Sequence, residues 1–286
     1  MRSSTWLNAL LAAAVVALGA FFYFRPARDA AVEHPLSALK PQEATSLRIE
    51  RAGAAPILLD RKQDAWFISA PFAARADASR VQQLLAIVEA RAVHRLPAGD
   101  RGRFGLEQPE ARLVVDGQPF SFGMVSDITR EQYVMSGNTV YAVHPRYGAA
   151  LPLSAVQMAS RQLFGADESP VRIALRDFAV EQRDGKWMLA PRSADLSQDD
   201  LLRWVDEWRL ASALRVESRS TARARDEIKI QLKNGGGFTL GILSREPELV
   251  LARSDEKLQY RFGAELAKRL LFPPGAGLRS ETADKK

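Results

Sequence analysis

The sequence predicts an α+β fold: an N-terminal transmembrane helix followed by two tandem β-rich repeats, each with antiparallel strands and a central helix. Three observations predict it. Trp6–Phe24 is an almost unbroken apolar run. The stretch Asp64-Ala65-Trp66-Phe67-Ile68-Ser69-Ala70-Pro71 returns in altered form as Asp184-Gly185-Lys186-Trp187-Met188-Leu189-Ala190-Pro191. Around both copies, apolar and polar residues alternate in short segments bounded by turn residues, as half-buried strands require. The expected order is a membrane anchor over 1–25, a linker over 26–44, repeats over 45–165 and 166–272, and a tail over 273–286.

The anchor run is about 19 residues long, which at 1.5 Å per residue gives roughly 28 Å, close to the ~30 Å hydrocarbon core of a bilayer. Asn8 is its one strongly polar member. Trp6 at one end and Phe21-Phe22-Tyr23-Phe24 at the other suit the two interfacial aromatic belts. A cleaved signal peptide would have a shorter apolar region followed by a small-x-small site. Bulky aromatics stand there instead, so the run reads as an uncleaved anchor. Arg2 on one side and Arg25 with Arg28 on the other do not set its direction by charge. The short leading tail is what places the bulk of the chain on the translocated side.

Pro26, Pro35 and Pro41 among mixed charges mark the linker. In the first repeat, Leu47 and Ile49 alternate with Arg48 and Glu50 as a strand, and Ile57-Leu58-Leu59 form a second. A polar turn over Arg61–Asp64 leads to the strand of Trp66 and Ile68, which stops at Pro71. Asp77 or Ser79 can cap a helix whose Val81, Leu84, Leu85 and Val88 share one face. Phe104-Gly105-Leu106 and Pro109 make a compact turn. Asp116-Gly117 and Gly137-Asn138 sit between apolar runs and predict hairpins. A helix over about Ala149–Phe164 is expected to close the repeat.

The second repeat follows the same order. Val171 and Ile173, Phe178 and Val180, then Trp187 and Leu189 predict three strands ending at Pro191. Ser197 can cap a helix with Leu201, Val205, Trp208 and Ala211 on one face. Ile228–Leu232 and Phe238–Leu240 flank a turn at Asn234-Gly235-Gly236. Leu249–Leu251 and Leu258–Tyr260 form the last hairpin, and a short helix over Ala264–Leu271 closes the unit. Matched positions lie 118 (Gly123 to Gly241), 120 (Pro71 to Pro191), 121 (Trp66 to Trp187) and 124 (Ile49 to Ile173) residues apart, a spread narrow enough to mark an internal duplication. The Pro-, Gly- and charge-rich tail is expected to be disordered.

Composition bounds the chemistry. With 286 residues, 47% hydrophobic, the chain can bury a core in each repeat. The absence of Cys removes disulfides and thiolate metal sites. The net charge is +6, and its densest basic run holds Arg215, Arg219, Arg223 and Arg225, interrupted by Glu217 and closed by Asp226 and Glu227. A nucleic-acid groove would interleave aromatics with such a run; none are there, so the run reads as a solvated helix end and loop, and no nucleic-acid partner is expected. His34, His94 and His144 are far apart in sequence, and no His-Glu-x-x-His occurs. Asp127 and Glu131 could approach across a turn, in a polar loop where such residues are ordinary. Gly235-Gly236-Gly237 precedes a strand rather than a helix and so is no phosphate-binding loop. No catalytic, cofactor-binding or metal residue is assigned, and no cofactor is expected.

Trp66 and Trp187 occupy the same place in each repeat among apolar neighbours and read as core, with an exposed ligand platform as the alternative. Trp204 and Trp208, four apart on the second helix, share one face. They read as packing between the repeats or as a partner surface.

The first repeat resembles the bacterial domain of unknown function 4340 family. The resemblance rests on Trp66 with Pro71, the Val/Leu-rich helix after them, Phe104-Gly105-Leu106-x-x-Pro109, the strand ending at Phe122-Gly123, Tyr133-Val134, and Val140-Tyr141-Ala142-Val143. It covers residues 45–165, while the second repeat lacks the Phe-Gly-Leu-x-x-Pro turn. The resemblance implies a single N-terminal membrane helix, an envelope-facing domain and, in some members, association with gliding-motility-type ABC transport systems. It implies no activity. The resulting expectation is a non-enzymatic, single-pass protein of the bacterial inner membrane. Its main domain is periplasmic, Trp6–Phe24 lies in the lipid, and it is accessory or scaffold to a membrane complex such as an ABC transporter. The alternatives are a binding module for an envelope glycan or lipid in the cleft between the repeats, and a hydrolase built around His94 or His144.

Overall fold

The computed structural model describes residues 3–24, 32–191 and 196–272; the expected tail over 273–286 lies outside them. In chain order the elements are helix α1 (Ser3–Phe24) and strands β1 (His34–Pro35), β2 (Ser46–Arg51), β3 (Ile57–Lys62), β4 (Ala65–Ala70) and β5 (Ala74–Arg75). Then come α2 (Ala78–Leu85), β6 (Arg91–Ala92), β7 (Arg95–Pro97), β8 (Ala111–Val115), β9 (Gln118–Val125), β10 (Gln132–Ser136), β11 (Thr139–Val143) and the one-turn α3 (Arg146–Ala149). The second repeat holds β12 (Pro170–Ala174), β13 (Ala179–Arg183), β14 (Lys186–Ala190), α4 (Gln198–Arg209), β15 (Arg215–Ser218), β16 (Asp226–Leu232), β17 (Gly237–Ser244), β18 (Leu249–Arg253), β19 (Leu258–Phe262) and α5 (Ala264–Leu271).

The two repeats have one topology. The first sheet runs β5-β4-β3-β2-β8-β9-β10-β11-β7 and the second β14-β13-β12-β16-β17-β18-β19-β15. Removing β5 from the first makes the orders identical, strand for strand. All pairings within both sheets are antiparallel. In both repeats the chain makes a three-strand meander, crosses by a helix to the far edge, and returns to the centre for a second meander.

Local sequence explains the elements. Asp116 and Gly117 adopt φ +44° and +85°, as a two-residue hairpin turn of primed type demands, so β8 and β9 pair tightly. Asp77 caps α2, its carboxylate accepting from the N–H groups of Ser79 and Arg80. Ser197 caps α4 in a reciprocal box with Asp200. The apolar faces of both helices enter a core continuous across both repeats, from Leu47 and Val81 to Trp208 and Leu270.

Three expectations are corrected. Residues 149–164 do not form a helix: after α3 and a 3-10 turn over Ala155–Met158 the chain runs extended. Pro152 has no N–H for a helical bond, and the extended stretch makes isolated backbone bridges to Ala76 on one side and Ser212 on the other. Arg215–Ser218 is an edge strand against β19 rather than a helix end, because Val216 and Glu217 complete the second sheet. The segments β5, β6 and β7 are strands too short and polar to show alternation in sequence.

Ser3–Phe24 is one helix, but among the described residues no helix is long and apolar enough to cross a membrane. The expected membrane span over Trp6–Phe24 is therefore not supported by the described helix.

Candidate functional site

The densest concentration of buried polar chemistry lies where the repeats meet. The connector over residues 159–163 builds this junction by pairing on both sides. Ala159 bridges to Ala76, next to β5, and Ser160 N–H donates to Arg75 O at 2.9 Å. Further on, Gln162 bridges to Ser212, and Leu163 N–H donates to Ala211 O at 2.9 Å. The connector thus bridges both repeats through isolated backbone pairings on its two sides.

Two arginines close the junction. Arg75, from β5, donates through Nε to Glu256 Oε1 at 2.8 Å and through Nη2 to Tyr260 Oη at 3.2 Å. Arg253, at the end of β18, is 1% exposed. It grips both oxygens of Glu168, donates to Asp255 Oδ1 at 2.8 Å and Oδ2 at 2.9 Å, and lies 3.6 Å from the centroid of Phe238. Both guanidiniums donate to one carbonyl, Leu163 O in the connector, Arg253 at 2.6 Å and Arg75 at 3.3 Å. The Tyr260 hydroxyl donates to Glu256 Oε2. Arg75 Nη1 is buried without a hydrogen bond, 3.7 Å from Glu168 Oε2.

These contacts fix the protonation states. Burial alone would raise the Glu168 carboxyl, but the hydrogen bonds from Arg253 and the Gly165 N–H, with the charges of Arg253 and Arg75, hold it below its ordinary range. Asp255 is likewise lowered, burial being outweighed by Arg253. Burial and the Glu256 carboxylate push the Tyr260 phenol up, keeping it protonated. Burial works against the Arg253 charge, yet Glu168 and Asp255 hold its pKa above the usual value. The carboxylates are held by guanidiniums, so the arrangement locks two units together; it does not activate a nucleophile.

The other residues singled out in sequence lie elsewhere. Trp66 and Trp187 are buried at equivalent places, so neither is a ligand platform. Trp204 and Trp208 are buried in the core that runs through both repeats, so they form no open surface. Their indole N–H groups donate to Phe272 O and Leu270 O, pinning α4 to the end of α5 within the second repeat. His34 sits on β1 opposite Ala92, while His94 and His144 are exposed. Two cavities open on the first repeat, of about 510 Å³ beside Ser37 and Gln118 and about 250 Å³ beside Arg51 and Gln132, and neither is lined by a histidine. Asp127 is exposed in the β9–β10 loop, and Glu131 O there accepts from Ser126 N–H at 2.8 Å. Gly235-Gly236 form the β16–β17 turn. Among the described residues no group of three or more His, Cys, Asp or Glu could hold a metal ion.

The junction network escaped the sequence reading because its members lie at 75, 168, 253, 256 and 260. The one local signal was an arginine closing the otherwise apolar run Leu249–Ala252.

The residues that carried the family resemblance assemble into a second, smaller core on the first sheet. Phe104, Leu106 and Val140 are buried together with Tyr133 packed against them, and the Phe104 and Tyr133 rings lie 4.9 Å apart. Gly123 runs directly beneath the turn: a Cβ there would stand 2.2 Å from Phe104 O. The motif is a packing device. A family model described as Domain of unknown function (DUF4340) matches residues 66–234, from β4 of the first repeat to the β16–β17 turn of the second. The match therefore spans both repeats, where the resemblance had been confined to the first. No curated protein and no solved structure matches the chain.

Proposed function

The chain belongs to the DUF4340 family, and we propose that it is a non-enzymatic envelope protein of the bacterial inner membrane. In this reading α1 anchors it in the lipid, the two-sheet body lies on the periplasmic side, and it serves as accessory or scaffold to a membrane complex such as an ABC transporter. The observation that carries the anchor is the surface of α1. Leu10, Leu11, Val15, Val16 and Leu18 point around the helix, and each is more than half exposed. A helix apolar on all sides belongs inside a protein or a membrane. The body suits a scaffold better than a site of turnover, since its buried Arg75 is committed to Glu256 and Glu168 across the junction.

Alkaline carbonate extraction of cells expressing the full chain, with protease added to spheroplasts, tests this. The reading predicts that the protein stays in the membrane pellet and that its body is digested from outside. Release into the supernatant would overturn the anchor, and protection from protease would overturn the orientation.

A further inference from the structure

The loop joining β15 to β16, residues 219–225, is exposed throughout and carries Arg219, Arg223 and Arg225. Its neighbours are neutralised: Arg215 pairs with Glu248, Arg245 with Asp226, and Arg261 with Glu217. Among the described residues the three loop arginines have no carboxylate partner. Glu227, exposed on β16, is the adjacent acidic group not already paired.

The loop is nevertheless fixed. Arg219 N–H donates to Lys257 O at 2.9 Å, Ser220 N–H to Gln259 Oε1 at 3.0 Å, and Arg225 N–H to Ile242 O at 2.8 Å. The Ala224 Cβ lies 2.9 Å from where a Cβ on Gly241 would stand, and Arg223, Ala224 and Arg225 are all exposed.

The duplication sharpens the point. The corresponding segment of the first repeat, between β7 and β8, lies over Gly123 as this loop lies over Gly241. There it buries Ala98, Phe104 and Leu106 in a small core. The second repeat has replaced that apolar packing with a short loop that buries nothing and displays three guanidiniums.

We propose that residues 219–225 form a binding surface for phosphate-bearing anions. Guanidinium forks match phosphate oxygens, and a loop already tied to the sheet loses little freedom on binding. No aromatic residue lies in the loop to stack on a base, so the chemistry is that of a phosphate group, supplied by a lipid headgroup or by free phosphate.

The chain has no Cys, so Thr221→Cys carries a single environment-sensitive fluorophore. The labelled full chain is mixed with phosphatidylcholine vesicles, with vesicles that also contain phosphatidylglycerol, or with inorganic phosphate alone. Flotation with neutral vesicles reports the anchor; the fluorophore reports the loop, so either can fail without the other. A fluorescence change that needs phosphatidylglycerol, is screened by salt, and weakens on the order of a hundredfold in the triple variant R219Q/R223Q/R225Q places a headgroup on the loop. The same change with inorganic phosphate alone assigns it to free phosphate. No change with either, or tighter binding to an oligonucleotide than to both, would overturn the proposal. A melting temperature unchanged by the triple substitution separates loss of binding from loss of fold.

Discussion

Arg75 and Glu256, 181 positions apart in the chain, meet in the interior with Nε 2.8 Å from Oε1 and both side chains largely buried. One comes from the edge strand that the first repeat adds to the shared topology. The other comes from the β18–β19 turn, which is longer than its counterpart Gly137-Asn138. The junction thus uses two places where the repeats differ. A duplicated fold becomes one body through features that the copies do not share.

Cutting this link leaves a buried charge uncompensated, which is far more costly than never burying the pair. Arg75→Met should lower stability to denaturant by about 3–5 kcal/mol. The double variant Arg75→Met/Glu256→Leu should recover a large part of that loss. Equilibrium denaturation of both checks the prediction, and equal losses would show that the pair does not act as a unit.

The junction should also make the protein acid-sensitive. Glu168 and Asp255 have folded-state pKa values below their unfolded ones. Their contribution is therefore complete above the ordinary carboxylate range of about 4 and is lost as pH falls through the lowered values. Melting temperature followed downward from neutral pH should fall below that range, and Glu168→Gln should flatten the fall while lowering stability at neutral pH.

Gln198 guards the open edge of the second sheet. Its side-chain amide accepts from Trp187 N–H at 2.8 Å and donates to Trp187 O at 2.6 Å, as a neighbouring strand would. In the first repeat Trp66 O is instead taken by the backbone N–H of Ala76. Gln198→Ala should cost about 1–2 kcal/mol for the two bonds and bare the edge to pairing with another chain. Sedimentation velocity in detergent should then reveal more association for Gln198→Ala than for the unaltered protein.

Gly123 admits no side chain beneath the Phe104 turn, whereas Gly99 has open space around it. Gly123→Ala should destabilise by about 1–3 kcal/mol through overpacking, and Gly99→Ala by less than either limit. Paired thermal melts decide this.

Much of the architecture was legible because it rests on local rules. The Asp116-Gly117 turn and the Ser197 cap act within a few residues, and both recur in the structure, as do the equivalent places of Trp66 and Trp187 in the two repeats. The helix expected over Ala149–Phe164 failed where tertiary pairing of the connector outweighed helical periodicity. The edge strands β5, β7 and β15 are two to four residues long, too short for apolar alternation to announce them. The junction was illegible for a further reason: Arg75, Glu168 and Arg253 have meaning only once the repeats are docked. Trp204 and Trp208 were rightly placed on one face, but their partner was the end of α5, about sixty residues on.

The scaffold reading is tested most directly by in-cell cross-linking, membrane extraction, affinity capture and mass spectrometry. The full chain is run beside a version in which an unrelated membrane helix replaces Trp6–Phe24. The account predicts that both versions capture the same membrane complex, because recognition resides in the two-sheet body. A chain recovered alone in both cases would contradict it.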